Sequence, residues 1–217
     1  EVDPDRCGLL PFVFDEDFGY RRYLDYALDV PMLFVKREGR FVDLGGRTFR
    51  SFLREGHDGH RPNVSDFETH LSLMFPEVRL KRFIEVRSAD CVPPAYAIAA
   101  IALWKGILYD EESLTASYAL LNPLRGSRLQ ALQYRVAQDG LNAREGEFRV
   151  LDIARELLAL ASKGMERVDP QASQAGLLKP LEELVVRRST LADDLLTKYG
   201  EVPDDAAIAS LLRRAPS

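Results

Sequence analysis

Two periodicities divide the chain. In the first third, short runs of alternating apolar and polar residues are interleaved with helical spacing; from Glu112 onward nearly every segment repeats its apolar residues every three or four positions. Tyr20 to Leu28 carries helical spacing, with Pro31 as the stop. Met32 to Lys36 and Arg40 to Leu44 read as two strands joined through Glu38-Gly39, and Gly45-Gly46 ends that hairpin. A short helix from Thr48 to Arg54 and a polar loop from Glu55 to Asn63 follow. Helix resumes at Ser65, where Ser65 and Glu68 have the three-residue spacing of a capping box.

The segment Arg82 to Ser88 alternates as a strand does: Ile84 and Val86 share one face, Phe83, Glu85 and Arg87 the other. The expectation is that Ile84 and Val86 pack against helices while Glu85 and Arg87 open onto a concave polar surface. Asp90 and Pro93-Pro94 then start a helix to about Tyr109, apolar nearly all round and therefore expected to be buried. Further helices are predicted at 112–121, 126–138, 147–166, 180–187, 190–198 and 204–213, with Asn122, Ser189 and Asp204 near starts and Gly140 and Gly200 as stops. The pattern predicts an α+β protein: a small antiparallel sheet layer in residues 1–110 and a helical carboxyl-terminal portion in 111–217.

Composition narrows the function only by exclusion. With 34 acidic against 29 basic side chains, a net charge of −5 and no block of Lys and Arg, nothing marks a surface for nucleic acid or anionic membrane. The longest apolar stretch, Val92 to Leu108, is interrupted by Pro93, Pro94 and Lys105 and is too short to span a bilayer. Two cysteines, Cys7 and Cys91, make neither a disulfide framework nor a zinc cage, so a reducing cytoplasm is the expected home. The chain opens at Glu1 with neither Met nor an apolar leader, and the expectation is of no signal peptide and of further sequence upstream.

The common phosphate-binding glycine loops and the G-x-S-x-G elbow are absent. His57 and His60 have a possible metal-ligand spacing, but with no cysteine or fixed element beside them in the loop EGHDGHRP they read as a solvated segment. Glu85 and Arg87, two apart on one strand face, admit two readings. They form an exposed ion pair on a solvated sheet face, which spacing alone favours, or a carboxylate for Mg²⁺ beside a guanidinium for a phosphate oxygen. Asp90 reads as the cap of the following helix, Cys91 as an inert, partly buried thiol, and Tyr26 as core.

The string RLKRFIEVRSAD, Arg79 to Asp90, resembles a segment of the glutamate–cysteine ligases of plants and many proteobacteria. DPDRCGLLPFVF from Asp3, YLDYALDVPMLFV from Tyr23, SDFETHLSLMFPEVRLKR from Ser65 and LWKGILYD from Leu103 agree in order and spacing. Beyond residue 110 the likeness thins to segments such as LDIARELL and LLTKYG. Members of that family are about twice this length, so the resemblance implies a carboxyl-terminal half whose upstream half carries much of the ATP site. It also implies part of a glutamine-synthetase-like antiparallel sheet.

The activity implied is ATP-dependent joining of the glutamate γ-carboxylate to cysteine through γ-glutamyl phosphate. Glutamate, cysteine and ATP are the substrates and Mg²⁺ the cofactor. By the same resemblance Glu85 matches a metal-binding glutamate, Arg87 an arginine that meets the transferred phosphate or the glutamate, and Arg6 and Tyr26 positions bordering the glutamate pocket. One departure stands out: members usually continue G-A-D-G-G-P-W where this chain has Ser88-Ala89-Asp90-Cys91-Val92-Pro93-Pro94. That leaves open a sibling ligase with another acceptor amine, and, from a different class, a non-catalytic fragment that has kept the fold. The redox-switch cysteines of plant members have no counterpart in the hairpin and loop.

Overall fold

Glycine and proline punctuation sets most of the element boundaries. The computed structural model describes residue 3, residues 5–170 and 175–200, and the single positions 206 and 209. It divides into two compact units, residues 1–88 and 89–217, so the break falls before the apolar helix rather than after it at 110.

The first unit runs β1 (Cys7–Gly8), a 3-10 turn (Pro11–Phe14), α1 (Tyr20–Asp29), β2 (Phe34–Arg37), β3 (Arg40–Asp43), α2 (Phe49–Glu55), α3 (Val64–Ser72), β4 (Phe75–Pro76), β5 (Val78–Leu80) and β6 (Ile84–Val86). β1 pairs in parallel with β4, while β2–β3 and β5–β6 are antiparallel. The β2–β3 turn forms as predicted, with Glu38 and Gly39 both at positive φ, 50° and 78°, which a two-residue hairpin loop of the twisted type requires. Met32, Val35, Leu44, Phe49 and Phe52 make one core cluster, with Phe67 packed edge-on to Phe49 at 4.8 Å.

The capping box of α3 lies two residues before the predicted one. Asn63 accepts from the Asp66 amide at 3.0 Å and Asp66 from the Asn63 amide at 2.9 Å. Asp66 wins because it is buried and also takes both ends of the Arg37 guanidinium at 2.7 Å. Burial works against its charge, and the Arg37 and Asn63 hydrogen bonds outweigh it, leaving the carboxyl below its ordinary range.

β6 keeps the predicted alternation but not the predicted covering. Leu80 faces Ile84 and Val78 faces Val86 across the ladder, yet Ile84 is 68% exposed and Val78 51%. With Val13, Phe14, Phe18, Tyr20 and Tyr23 this apolar face lines an open depression of about 530 Å³. Arg82 and Phe83 lie in the turn before the strand, so Phe83 is not part of the Glu85 face.

The second unit is α4 (Pro94–Leu108), α5 (Glu111–Leu121), α6 (Ser127–Asp139), β7 (Arg144–Glu145), β8 (Phe148–Arg149), α7 (Val150–Val168), α8 (Lys179–Arg187) and α9 (Leu191–Tyr199). α4 crosses α7 so closely that a Cβ at Gly106 would strike the Ala161 carbonyl, and one at Gly164 the Gly106 carbonyl. Asp110 caps α5 through the Ser113 amide at 2.8 Å and grips Arg167 of α7 at 2.7 and 2.9 Å.

Several expectations are corrected in this unit. Asp90 is not the cap of α4: Pro93 occupies that position and Pro94 starts the helix, where the missing N–H costs nothing. Only one face of α4 is buried, at Ala99, Ala102, Gly106 and Ile107, while Ile98 and Ile101 are 50% and 68% exposed. Asn122 ends α5 rather than starting α6. The hairpin β7–β8, turning at Gly146 (φ 58°), occupies the start of the segment predicted as helix from 147. Thr190, not Ser189, caps α9, through a capping box with Asp193. Gly140 and Gly200 are the predicted stops. The helix expected at 204–213 lies almost wholly outside the described residues.

Helices mixed with small strand pairs make the protein α+β. Each named strand has a single partner, in four separate two-stranded sheets among the described residues. No helix among them is long and apolar enough to cross a membrane.

Candidate functional site

The β5–β6 hairpin sorts its side chains by register. Arg79 stands opposite Glu85, and since residues directly across an antiparallel ladder share a face, the two meet on the side away from Ile84. Arg79 Nε donates to Glu85 Oε2 at 2.7 Å, and its Nη1 donates to the Ser72 and Met74 carbonyls at 2.8 and 3.0 Å. Lys81 Nζ approaches the same Oε2 at 3.8 Å, whereas Oε1 faces Arg87 Nη1 at 3.6 Å, beyond hydrogen-bond length. Glu85 and Arg87 are thus on one face as expected, but the short ion pair of Glu85 is with Arg79. Phe75 lies beneath both guanidiniums, 5.6 Å from that of Arg79 and 5.1 Å from that of Arg87. Hydrogen bonding to Arg79 first, and then the nearby charges of Lys81 and Arg87, hold the Glu85 carboxyl below its ordinary range.

Arg6 and Tyr26 gather at the carboxyl end of α1. The Ala27 carbonyl has no helical donor because the residue four along is Pro31, which lacks an N–H. Buried His70 replaces it, with Nε2 2.8 Å from the Ala27 oxygen. Nε2 therefore carries the proton and Nδ1 is the acceptor nitrogen. Arg6 Nη2 donates to the Pro31 carbonyl at 2.8 Å and Nε to Asp3 at 2.6 Å. Arg6 Nη1 and His70 Nδ1, both buried, find no hydrogen-bond partner among the described residues. Tyr26 is half-buried against Phe12 and Tyr23, its hydroxyl 3.4 Å from the Asp5 carbonyl. Burial pushes its phenol up to about 12, so it remains a neutral donor.

The two pairs are neighbours through shared residues. The Phe75 amide donates to the Arg6 carbonyl at 2.6 Å, and the Tyr23 hydroxyl accepts from the Leu80 amide at 3.4 Å. No hydrogen bond or ion pair among the described residues joins Arg6 or Tyr26 to Glu85 or Arg87. Arg79, Phe75 and His70 were not singled out in the sequence. Arg79 comes opposite Glu85 because RLKRFIEVR folds back as a hairpin, which the linear pattern does not announce.

The described residues contain no group of three or more side chains able to cage a metal. Glu85 Oε1, with no hydrogen bond among the described residues, fits a narrower role: Mg²⁺ is commonly held by one or two carboxylates together with substrate phosphates and water. His57 and His60 bridge each other through their backbones at 3.1 and 2.8 Å, closing the loop without building a site. Cys91 is exposed rather than partly buried.

Over residues 1–213 the sequence matches the family described as Glutamate-cysteine ligase family 2. Glutamate–cysteine ligase A, chloroplastic, of Oryza sativa subsp. indica is 39% identical over 202 residues, 92% of this chain and 41% of the relative. The chloroplastic glutamate–cysteine ligase of Arabidopsis thaliana is 40% identical, over 92% of this chain and 38% of its own. That of Nicotiana tabacum is 38% identical over the same shares. The chain spans about two fifths of the length of these curated relatives. Their chloroplastic names overturn the expectation of a cytoplasmic home, which rested on the cysteine count alone. A match running almost from end to end, joined to relatives near 40% identity across most of its residues, leaves one conclusion: the chain belongs to glutamate–cysteine ligase family 2.

Proposed function

We propose that this chain forms part of an ATP-dependent glutamate–cysteine ligase, joining the γ-carboxylate of glutamate to the amine of cysteine. In this reading glutamate attacks the γ-phosphorus of ATP, ADP leaves, and the amine of cysteine displaces phosphate from γ-glutamyl phosphate. No protein nucleophile takes part. The protein's work is to hold the two anionic reactants in line, balance the charge that develops between them and keep water from the acyl phosphate.

The observation that carries the reading is the shared face of Glu85 Oε1 and Arg87, 3.6 Å apart and partly open to solvent. Glu85 would hold Mg²⁺ by its outward carboxylate oxygen and Arg87 would take a phosphate oxygen. Mg²⁺, when bound, neutralises phosphate charge. Arg6 and Tyr26 border the glutamate: the buried Nη1 of Arg6, without a partner among the described residues, is a donor suited to a carboxylate, and the Tyr26 phenol is a neutral donor near it. The β5–β6 hairpin belongs to a larger antiparallel sheet of glutamine-synthetase type. Its further strands and ligands come from the part of the family's length that this chain does not match.

A sibling activity with another amine is favoured by one feature only, the Cys91-Val92-Pro93-Pro94 segment, where the family has G-G-P-W. The complete enzyme, given Mg²⁺, ATP, glutamate and a panel of amines, separates the two by ADP release and mass identification of the product. The expected result is γ-glutamylcysteine, formed faster than any other amide. Preference for another amine would establish the sibling, and absence of glutamate-dependent ADP release would overturn both.

A further inference from the structure

We propose that Arg79 is a positioning residue for Glu85, fixing one carboxylate oxygen so that the other is presented on the open face; the inference rests on the metal-binding reading of Glu85. In an ordinary surface ion pair both partners are solvated and mobile. Here the cation is the anchored member: the Arg79 side chain is 7% exposed and that of Glu85 29%. Arg79 is held from behind by two carbonyls, Ser72 at the last residue of α3 and Met74 just beyond it, at 2.8 and 3.0 Å. The end of a helix carries partial negative charge from its free carbonyls, which suits a buried guanidinium. Phe75 flanks the group at 5.6 Å.

With its guanidinium fixed in this way, Arg79 Nε reaches across the ladder to Oε2 at 2.7 Å. A carboxylate gripped at one oxygen cannot turn freely, so Oε1 stays on the side where Arg87 stands at 3.6 Å. A lysine cannot replace this arrangement. Its single ammonium is a point charge and does not span two carbonyls and a carboxylate in the fixed directions of the guanidinium fork. Groups that orient a metal ligand commonly change metal affinity or activity about 10- to 100-fold when altered.

The test uses the complete enzyme in four forms: wild type, Arg79→Lys, Glu85→Gln and the double variant. Four quantities are measured: Mn²⁺ affinity by electron paramagnetic resonance with a non-hydrolysable ATP analogue, steady-state kcat, KM, and the thermal melting temperature. Arg79→Lys is expected to lose about 10- to 100-fold in Mn²⁺ affinity and to fall in kcat, with KM for glutamate little changed. The double variant is expected to be no worse than Glu85→Gln. A folded Arg79→Lys that keeps Mn²⁺ affinity and kcat, while Glu85→Gln loses both, overturns the proposal and leaves the metal reading standing. Retention of both by Glu85→Gln overturns the metal reading itself. Should Arg79→Lys fail to fold, the Nε–H resonance of Arg79 in the wild type decides. It is expected to be protected from exchange and to shift when Mg²⁺ and the ATP analogue are added; an unprotected or unmoved resonance overturns the proposal.

Discussion

At Pro31 one absent N–H determines the surroundings of a buried side chain, His70. The Ala27 carbonyl would be an orphan inside the first unit, and His70 is there to donate to it. The same ring lies 5.5 Å from Phe49, in a setting that disfavours charge, so burial lowers the His70 pKa. Because the folded state resists protonation, this residue's contribution is fully present above the ordinary value near 6.5 and declines as pH falls below it. Replacing His70 with Ala should cost about 3 kcal/mol, from an unsatisfied buried carbonyl and a cavity. His70→Gln, which can still donate from its amide, should cost less and should remove this part of the pH dependence. Urea unfolding at pH 7.5 and 5.5 checks both variants. Equal pH sensitivity in wild type and His70→Gln would show that the histidine does not contribute as described.

Among the elements, the crossing of α4 and α7 is the most constrained, since Gly106 and Gly164 bring backbone against backbone. Neither contact can be relieved by moving a flexible side chain. Gly106→Ala is therefore expected to destabilise by about 2 kcal/mol, because overpacking outweighs the better helix propensity of Ala. Thermal or urea unfolding of the variant measures this, and a stabilised protein would contradict the tight crossing. The sequence made the helical period of α4 plain but not which face would be covered, and likewise the alternation of β6 but not the openness of Ile84. Periodicity assigns residues to faces; burial depends on what other elements place over them. The slip of the α3 cap from Ser65 to Asn63 has a similar origin, since two overlapping segments satisfy the box and the distant Arg37 selects Asp66. Short hairpins such as β7–β8 are the hardest to read, having two residues per strand and only Glu145-Gly146 to announce the turn. At the site, the common face of Glu85 and Arg87 followed from period two, while Arg79 became visible only through the register of a strand absent from the linear pattern.

For the molecule as a whole, family membership rests on nearly the full chain, whereas the proposed chemistry rests on a few side chains of the first unit. The chain covers about two fifths of its relatives, and its share of the proposed larger site is the β5–β6 face and the Arg6–Tyr26 corner. In that proposal Glu85 serves a metal rather than merely balancing Arg79. Glu85→Gln keeps the size and an oxygen for Arg79 but removes the charge a metal ion needs. In the complete enzyme, steady-state ADP release at saturating glutamate and cysteine, with Mg²⁺ varied and circular dichroism as the folding control, tests that claim directly. A metal-binding Glu85 should lose on the order of 100-fold in kcat, with an altered Mg²⁺ dependence and an unchanged fold. Near-normal turnover with an unchanged Mg²⁺ dependence would contradict it and leave Glu85 as the structural partner of Arg79.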